Sequence, residues 1–292
     1  MMGKVKIWIE CARLRTLPIS VAGVVMACGL AVWHGKFSLV PAIFCFLFAV
    51  TAQIVSNFAN EYYDFKRGTD KKGRVGPRRG VTEGDIKPRT LKVVTYATLA
   101  LACAIGCCLI PYGGWWLIAV GVFIAIFALA YSAGPYPLSY HGLGDLAVLL
   151  FFGIIPVNFT YYVQSGILFQ TDVLLASVAI GLMGVNVLIV NNYRDMDDDK
   201  EAGKRTSVVI IGREAASAVY LVNGFVAVAL FYSIWLRVHY AALIIPVIYL
   251  VVHIFVWHKL ITGKGAELNP LLGMTSMNML IFSMLLMLYM VI

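Results

Sequence analysis

Two short runs of the chain carry most of the side chains able to do chemistry. The first reads Asn57-Phe58-Ala59-Asn60-Glu61-Tyr62-Tyr63-Asp64, the second Asn191-Asn192-Tyr193-Arg194-Asp195-Met196-Asp197-Asp198-Asp199. At about 100° per helical residue, Asn57, Asn60, Glu61 and Asp64 share one face. Asn191, Asp195, Asp198 and Asp199 do the same, while Asp197 points away. Each run is therefore a polar stripe along a helix. Neither stripe contains His or Cys, and oxygen-only donors suit hard cations, Mg2+ or Mn2+. Mg2+ takes one or two carboxylates, keeps waters and completes its shell with phosphate oxygens. Two facing stripes could thus clamp one diphosphate through metal ions. Lys66, Arg67, Arg194 and Lys200 flank the stripes. The best candidates for phosphate contact are Arg78 and Arg79, between Gly76-Pro77 and Gly80, and Lys204 and Arg205, after Gly203. Glycine there lets the backbone approach an anion closely.

The elements that must position these stripes are membrane helices. The chain has 292 residues, 61% hydrophobic and 13% charged, with a mean hydropathy of +0.84. Soluble domains carry roughly a quarter charged residues. The composition excludes a disordered chain, a nucleic-acid binder and a soluble globule. Its charge-free intervals are long enough for spans of roughly 20 residues. They predict nine transmembrane helices near 16–34, 38–60, 92–110, 115–133, 143–163, 173–193, 215–236, 241–258 and 271–291. Pro111-Tyr112-Gly113-Gly114 separates the third from the fourth. The expected fold is an all-α integral membrane bundle in the lipid bilayer, one domain over residues 1–292. The first apolar run is of full length and lacks a small-residue cleavage site, so it reads as a retained span.

Orientation follows from the basic residues. With the N-terminus in the cytoplasm, 21 of the 23 Lys and Arg fall inside, leaving Lys36 and Arg237 outside. That asymmetry is the positive-inside signature, and nine spans then put the C-terminus outside. Most of the net charge of +8 is a topology signal. The six cysteines lack metal-ligand spacing, and all but Cys11 lie within predicted spans as small apolar residues.

Both stripes sit at the cytoplasmic end of an outward-to-inward helix, four spans apart. This predicts a parallel four-plus-four internal duplication. Acids at a helix C-terminus oppose its dipole, and Asn57 and Asn191 lie a turn or more inside the membrane, where polar groups mark function. A metal-bound diphosphate at that surface, beside a membrane-buried cavity, implies a substrate with a long apolar tail. Metal ions stabilise a departing diphosphate, and aromatic faces such as Tyr62 and Tyr131 would stabilise an allylic cation.

At these stripes the chain resembles the UbiA-type prenyltransferases, intramembrane enzymes that join a polyprenyl diphosphate to an aromatic ring. Asn60-Glu61-x-x-Asp64 matches the family's first acidic motif, with Glu in place of the first Asp, and Asp195 and Asp199 match the second. Arg13-Leu14-Arg15-Thr16-Leu17-Pro18, Gly76-Pro77-Arg78-Arg79-Gly80-Val81, His141-Gly142-Leu143-Gly144-Asp145 and Gly203-Lys204-Arg205-Thr206 are similar to the branch acting on 1,4-dihydroxy-2-naphthoate. The resemblance implies that Asp64, Asp195 and Asp199, with Asn57, Asn60, Asn191 and Glu61, hold Mg2+ (or Mn2+) and the diphosphate. Arg78, Arg79, Lys204 and Arg205 would pair with phosphate oxygens. Tyr62, Tyr131 and Asp145 would face the acceptor or the cation, although an N-cap role also fits Asp145. Another acceptor, such as hydroxybenzoate or homogentisate, would keep the same fold. A transporter is the alternative from another class; it would show ionisable groups at mid-membrane, where only His253 stands.

Overall fold

The computed structural model describes residues 3–70, 72–73 and 75–292; Lys71 and Arg74, two of the basic residues counted inside, lie outside these. Among the described residues every regular element is helical, and one isolated bridge joins His141 to Arg205. A first helix, α1 (Lys4–Ala12), turns at Arg13 and passes through a single 3-10 turn into α2 (Leu17–Trp33). Pro18 occupies the first turn of α2, where its missing N–H has no helical partner to lose. The long helix α3 (Leu39–Arg67) stops at Gly68, whose φ of 73° only glycine adopts freely. After a loop come α4 (Pro88–Cys107), α5 (Leu117–Ala130) and α6 (Gly144–Ser165). The bundle is completed by α7 (Thr171–Glu201), α8 (Ser207–Leu230), α9 (Ile244–Thr262) and α10 (Asn269–Val291).

Eight stretches among the described residues are long and apolar enough to cross a bilayer, and the chain is an integral membrane protein. The expected fourth span is α5, with 14 residues. At 1.5 Å per residue it covers roughly 21 Å of a hydrocarbon core of roughly 30 Å. The expected break between the third and fourth spans is a single helical turn, Ile110–Gly113, ended by Gly114 at φ 85°. The second and sixth spans differ from expectation in length. Both α3 and α7 continue as helix well beyond residues 60 and 193, so the acidic stripes end before the helices do. The final turns carry Lys66 and Arg67 on α3 and Lys200 on α7. Those cations complement the negative helix end that the acids alone would oppose.

The centre of the bundle is α7. In its most apolar stretch 72% is buried within the protein, against 17% for α4, which lies at the lipid-facing rim. Lipid offers helices little hydrophobic incentive to associate, so close packing of small residues and interhelical hydrogen bonds hold them. The tightest backbone-to-backbone approach at a glycine is between α6 and α7. A Cβ on Gly153 would lie 2.4 Å from Gly181 Cα and 2.4 Å from Ser177 O. Gly153 sits in a π-helical segment of α6, Leu149–Ile154, just before Pro156. Interior amides add polar joints: Asn186 donates to Tyr220 O, Asn223 to Asn186 and Asn278 to Tyr249 O. Such bonds contribute about 0.6–2 kcal/mol each in a membrane. His253, the only mid-membrane ionisable group weighed for transport, is stacked on Tyr220 and bonded to Leu221 O.

Candidate functional site

The stripe on α3 faces the N-terminal segment and the bundle axis. Asn57 donates to Ala12 O and Thr16 Oγ1 and accepts from Gln53, which in turn accepts from Ser20. These bonds fix the bend between α1 and α2. The bend matters because Arg13 sits there at φ 51°, a left-handed conformation that costs a non-glycine residue roughly 1–2 kcal/mol. The conformation sends its guanidinium to Asn60, with Nη2 donating to Oδ1 at 2.6 Å. Asn60 then donates to Asp64 Oδ2 and Ser132 Oγ, both at 3.1 Å. Asp64 is 1% exposed.

On α7, Arg194 grips Asp195 with two bonds of 2.7 Å and donates to Asn191 at 3.0 Å. Its remaining nitrogen reaches Asn269, which donates to Val75 O and so pins the long loop after α3. The two acidic helices meet through Lys204. Its Nζ lies 3.3 Å from Asp64 Oδ2 and 3.9 Å from Asp199 Oδ1.

A strap formed by residues 138–141 holds this junction at the polar ends of α3 and α7. Tyr140 OH donates to Asp64 Oδ1 at 3.0 Å and contacts Thr69 Oγ1 at 2.8 Å. Lys204 and Arg67 lie over its ring, at 4.8 and 5.0 Å from the centroid. Its backbone oxygen accepts from Arg205 N. Burial, followed by the Asp64 carboxylate beside it, holds the Tyr140 phenol above its ordinary pKa.

Between the helices is a polar cavity of about 400 Å³, lined by Arg13, Asn60, Asp64, Arg79, Asn191, Asp195, Asp199 and Lys204 among others. It adjoins a second cavity of about 270 Å³ whose walls are almost wholly apolar, from α3, α4, α5 and α6. Gln53, Ser56, Tyr131, Val148 and Phe152 wall both. Among the described residues, no three Asp, Glu, His or Cys side chains converge on one point. An ion held here would therefore need oxygens from a bound molecule, which is the habit of Mg2+ with phosphates.

The structure brings together most of the residues singled out from the sequence. Asn57, Asn60, Asp64, Arg79, Tyr131, Asp145, Asn191, Asp195, Asp199 and Lys204 all line the polar cavity. Four others it places elsewhere. Glu61 is fully buried on the far edge of the α3 stripe, where it accepts from Cys11 Sγ and from Val81 N at 3.1 Å. Tyr62 packs against the small core of Cys11, Phe58, Val81, Ile86 and Leu91. Arg78 is exposed and pairs with Asp85 at 2.5 Å. Arg205 bridges to His141 through its backbone while its side chain is exposed. Residues that the sequence reading left out are Arg13, Ser132, Tyr140 and Ser207. Arg13 offered a signal, in the run Arg13-Leu14-Arg15-Thr16-Leu17-Pro18, but its left-handed turn did not.

Comparison with known proteins agrees with this geometry. Residues 21–285 match the UbiA prenyltransferase family. The chain is 35% identical over 248 residues to the 1,4-dihydroxy-2-naphthoate octaprenyltransferase of Escherichia coli, covering 80% of each chain. It is 38% identical over 224 residues to the protein of that name from Mycobacterium tuberculosis, covering 76% of this chain and 75% of that one. Its fold is similar to a UbiA homolog from Archaeoglobus fulgidus bound to GPP and Mg2+, with a TM-score of 0.68 at 17% identity over 99% and 98% of the two chains. The acidic motifs, the bundle and a match over almost the whole sequence lead to one statement: this chain belongs to the UbiA prenyltransferase family.

Proposed function

We propose that this protein transfers a polyprenyl group from a polyprenyl diphosphate to 1,4-dihydroxy-2-naphthoate, releasing CO2 and diphosphate and giving demethylmenaquinol. The observation that carries the proposal is the pairing of the two cavities. A polar chamber with facing carboxylates and cations opens through shared walls into an apolar one, and only a substrate with a charged head and a long apolar tail fills both. The names of the relatives supply the acceptor.

The donor set suits a divalent cation. Asn60, Asp64, Asp195 and Asp199 offer only oxygen donors and stand on two helices joined by Lys204. Bound there, Mg2+ would stabilise the departing diphosphate. Mn2+ shares the same ligand preference. Arg13, Arg79 and Lys204 neutralise phosphate oxygens, and Tyr131 stands where the two chambers join. Arg194 and Tyr140 keep Asp195 and Asp64 aimed into the chamber. Glu61, bonded to Val81 N, anchors the loop that carries Arg79.

In this reading nine helices cross the membrane, with α5 as the short fourth. The cytoplasmic N-terminus and the active site facing the cytoplasm of a bacterial inner membrane follow from the basic residues. A parallel duplication is supported by α3 with α4 and α7 with α8, each an acidic helix packed on the helix that follows its loop.

The decisive experiment offers the purified protein 1,4-dihydroxy-2-naphthoate and 4-hydroxybenzoate together with one polyprenyl diphosphate and Mg2+, and identifies the prenylated ring by mass. Prenylated, decarboxylated naphthalenediol is the expected product. Prenyl-hydroxybenzoate alone would move the assignment to another acceptor, and no product from either would overturn it.

A further inference from the structure

The residues assigned to metal and phosphate leave a carboxylate of the polar cavity unused. Asp145 sits in the first turn of α6, directly after Gly142-Leu143-Gly144, and lines the cavity. Its Oδ1 is buried and makes no hydrogen bond. The Ser207 side chain, at the start of α8, stands within hydrogen-bonding reach of this carboxylate. Buried polar atoms are almost always bonded, so an unbonded carboxylate oxygen on the wall of a cavity calls for a ligand.

Their surroundings define what that ligand is. Asp145 and Val148 are three residues apart and share a helix face. Val148, with Tyr131 and Phe152, forms the junction between the polar and apolar chambers. Ile19 and Leu188 add apolar wall. The Tyr131 hydroxyl lies against Gly144, 3.5 Å from where a Cβ would be. The carboxylate and the hydroxyl thus stand beside apolar side chains, next to the junction where the reactive end of the prenyl donor must lie. A carboxylate repels anions and accepts from O–H donors. It therefore suits neither the diphosphate nor the acceptor's carboxylate, and suits a phenolic hydroxyl well.

We infer that Asp145, assisted by Ser207, receives a ring hydroxyl of the aromatic acceptor and so sets its orientation and selects for hydroxylated rings. The inference rests on the function proposed above. Held this way, the acceptor turns its own carboxylate toward the cationic wall of Arg13, Arg79 and Lys204. A hydrogen bond from the ring hydroxyl to Asp145 raises electron density in the ring. The ring π pair forms the new carbon–carbon bond, and the bond from the prenyl carbon to oxygen breaks with its electrons leaving on diphosphate. The bond to the carboxylate then breaks, CO2 departs and its electron pair restores aromaticity. No proton is gained or lost, so Asp145 is a positioning residue and not an obligatory base.

The test uses the full-length protein in nanodiscs, with Asp145→Asn, Asp145→Glu and Ser207→Ala. Hydrogen bonds to charged groups are strong enough that Asp145→Asn should lower kcat/KM for the acceptor by about tenfold to a hundredfold, mainly through KM. Asp145→Glu should recover part of the loss, and Ser207→Ala should show a smaller one. Mg2+-dependent binding of geranylgeranyl diphosphate should stay within about twofold of wild type in all three. Unchanged acceptor kinetics in Asp145→Asn would overturn the inference. So would parallel loss of diphosphate binding, which would assign Asp145 to the donor site or to folding. If the wild type prenylates a different hydroxylated ring, the acceptor assignment fails, and the same comparison on that ring decides the role of Asp145.

Discussion

Substituting Gly153 by alanine places a methyl group where α6 and α7 have no room. The added Cβ would meet Gly181 Cα and Ser177 O at 2.4 Å, both backbone atoms that cannot rotate aside. Ordinary carbon contacts begin near 3.5 Å, so the helices must part by about 1 Å. Overpacking of this kind costs about 1–3 kcal/mol. In a thermal melt in detergent that is a fall of roughly 2–10 °C. The displacement also acts on chemistry, because α6 carries Asp145 and α7 carries Asp195. A 1 Å misplacement of reacting groups can lower turnover by about a hundredfold. Gly181→Ala should be milder. Its closest contact is Leu149 Cδ1 at 2.6 Å, a side-chain tip that can move, although Leu149 O at 2.9 Å limits relief. Gly273→Ala is the control, since its Cβ would meet nothing within 4 Å and alanine favours the helix. Melting temperature and prenyl transfer measured on all three give the order Gly153→Ala worst, Gly181→Ala intermediate, Gly273→Ala neutral or stabilised. A Gly153→Ala protein that melts and turns over like Gly273→Ala would refute the packing argument.

Asp64→Asn and Asp195→Asn should each abolish Mg2+-dependent prenyl transfer while leaving expression intact, and EDTA should remove diphosphate binding from the wild type; full activity in either variant would sink the metal-clamp reading. Glu61→Gln should leave Mg2+ affinity within about threefold, because its carboxylate serves Val81 N and Cys11; a hundredfold loss, read by metal titration, would make it a ligand. Tyr140→Phe removes the bond to the Asp64 carboxylate and should lower kcat/KM by about tenfold to a hundredfold. Burial and Asp64 raise the Tyr140 pKa, so the neutral phenol persists at higher pH than an ordinary tyrosine. The wild-type and Tyr140→Phe pH–rate profiles should therefore have the same shape from about pH 6 to 9.

Much of the bundle was legible because membrane solvent imposes a simple rule: charge is missing wherever a span must be. The acidic stripes were legible for the same reason, as polar residues placed at a cost. What the sequence concealed depends on tertiary closure. Neighbouring positions on a helix point about 100° apart, so Glu61 and Asn60 stand on opposite edges of one stripe. Which edge faces the cavity is decided by where α1 and the loop after α3 come to rest. Arg13 was hidden because its direction depends on a left-handed bend that no composition or periodicity marks. Nothing in the sequence separates Tyr140 from the other tyrosines, and its role as a strap depends on where residues 138–141 fold back. The π-helical segment of α6 likewise has no sequence signature beyond Gly153 and Pro156.

The strap has a further consequence for how the chain could be divided. The hydroxyl of Tyr140 bonds to Asp64 in the first half, while its backbone oxygen accepts from Arg205 in the second. A break in the connection between α6 and α7 would yield two fragments, each with one complete acidic helix. Only the first fragment would own the strap and the loop that bears Arg79; the second would bring Lys204, a cation in contact with carboxylates of both helices. The halves are therefore unequal partners. Neither fragment paired with a second copy of itself could rebuild the site, whereas the two unlike fragments together hold every piece of it.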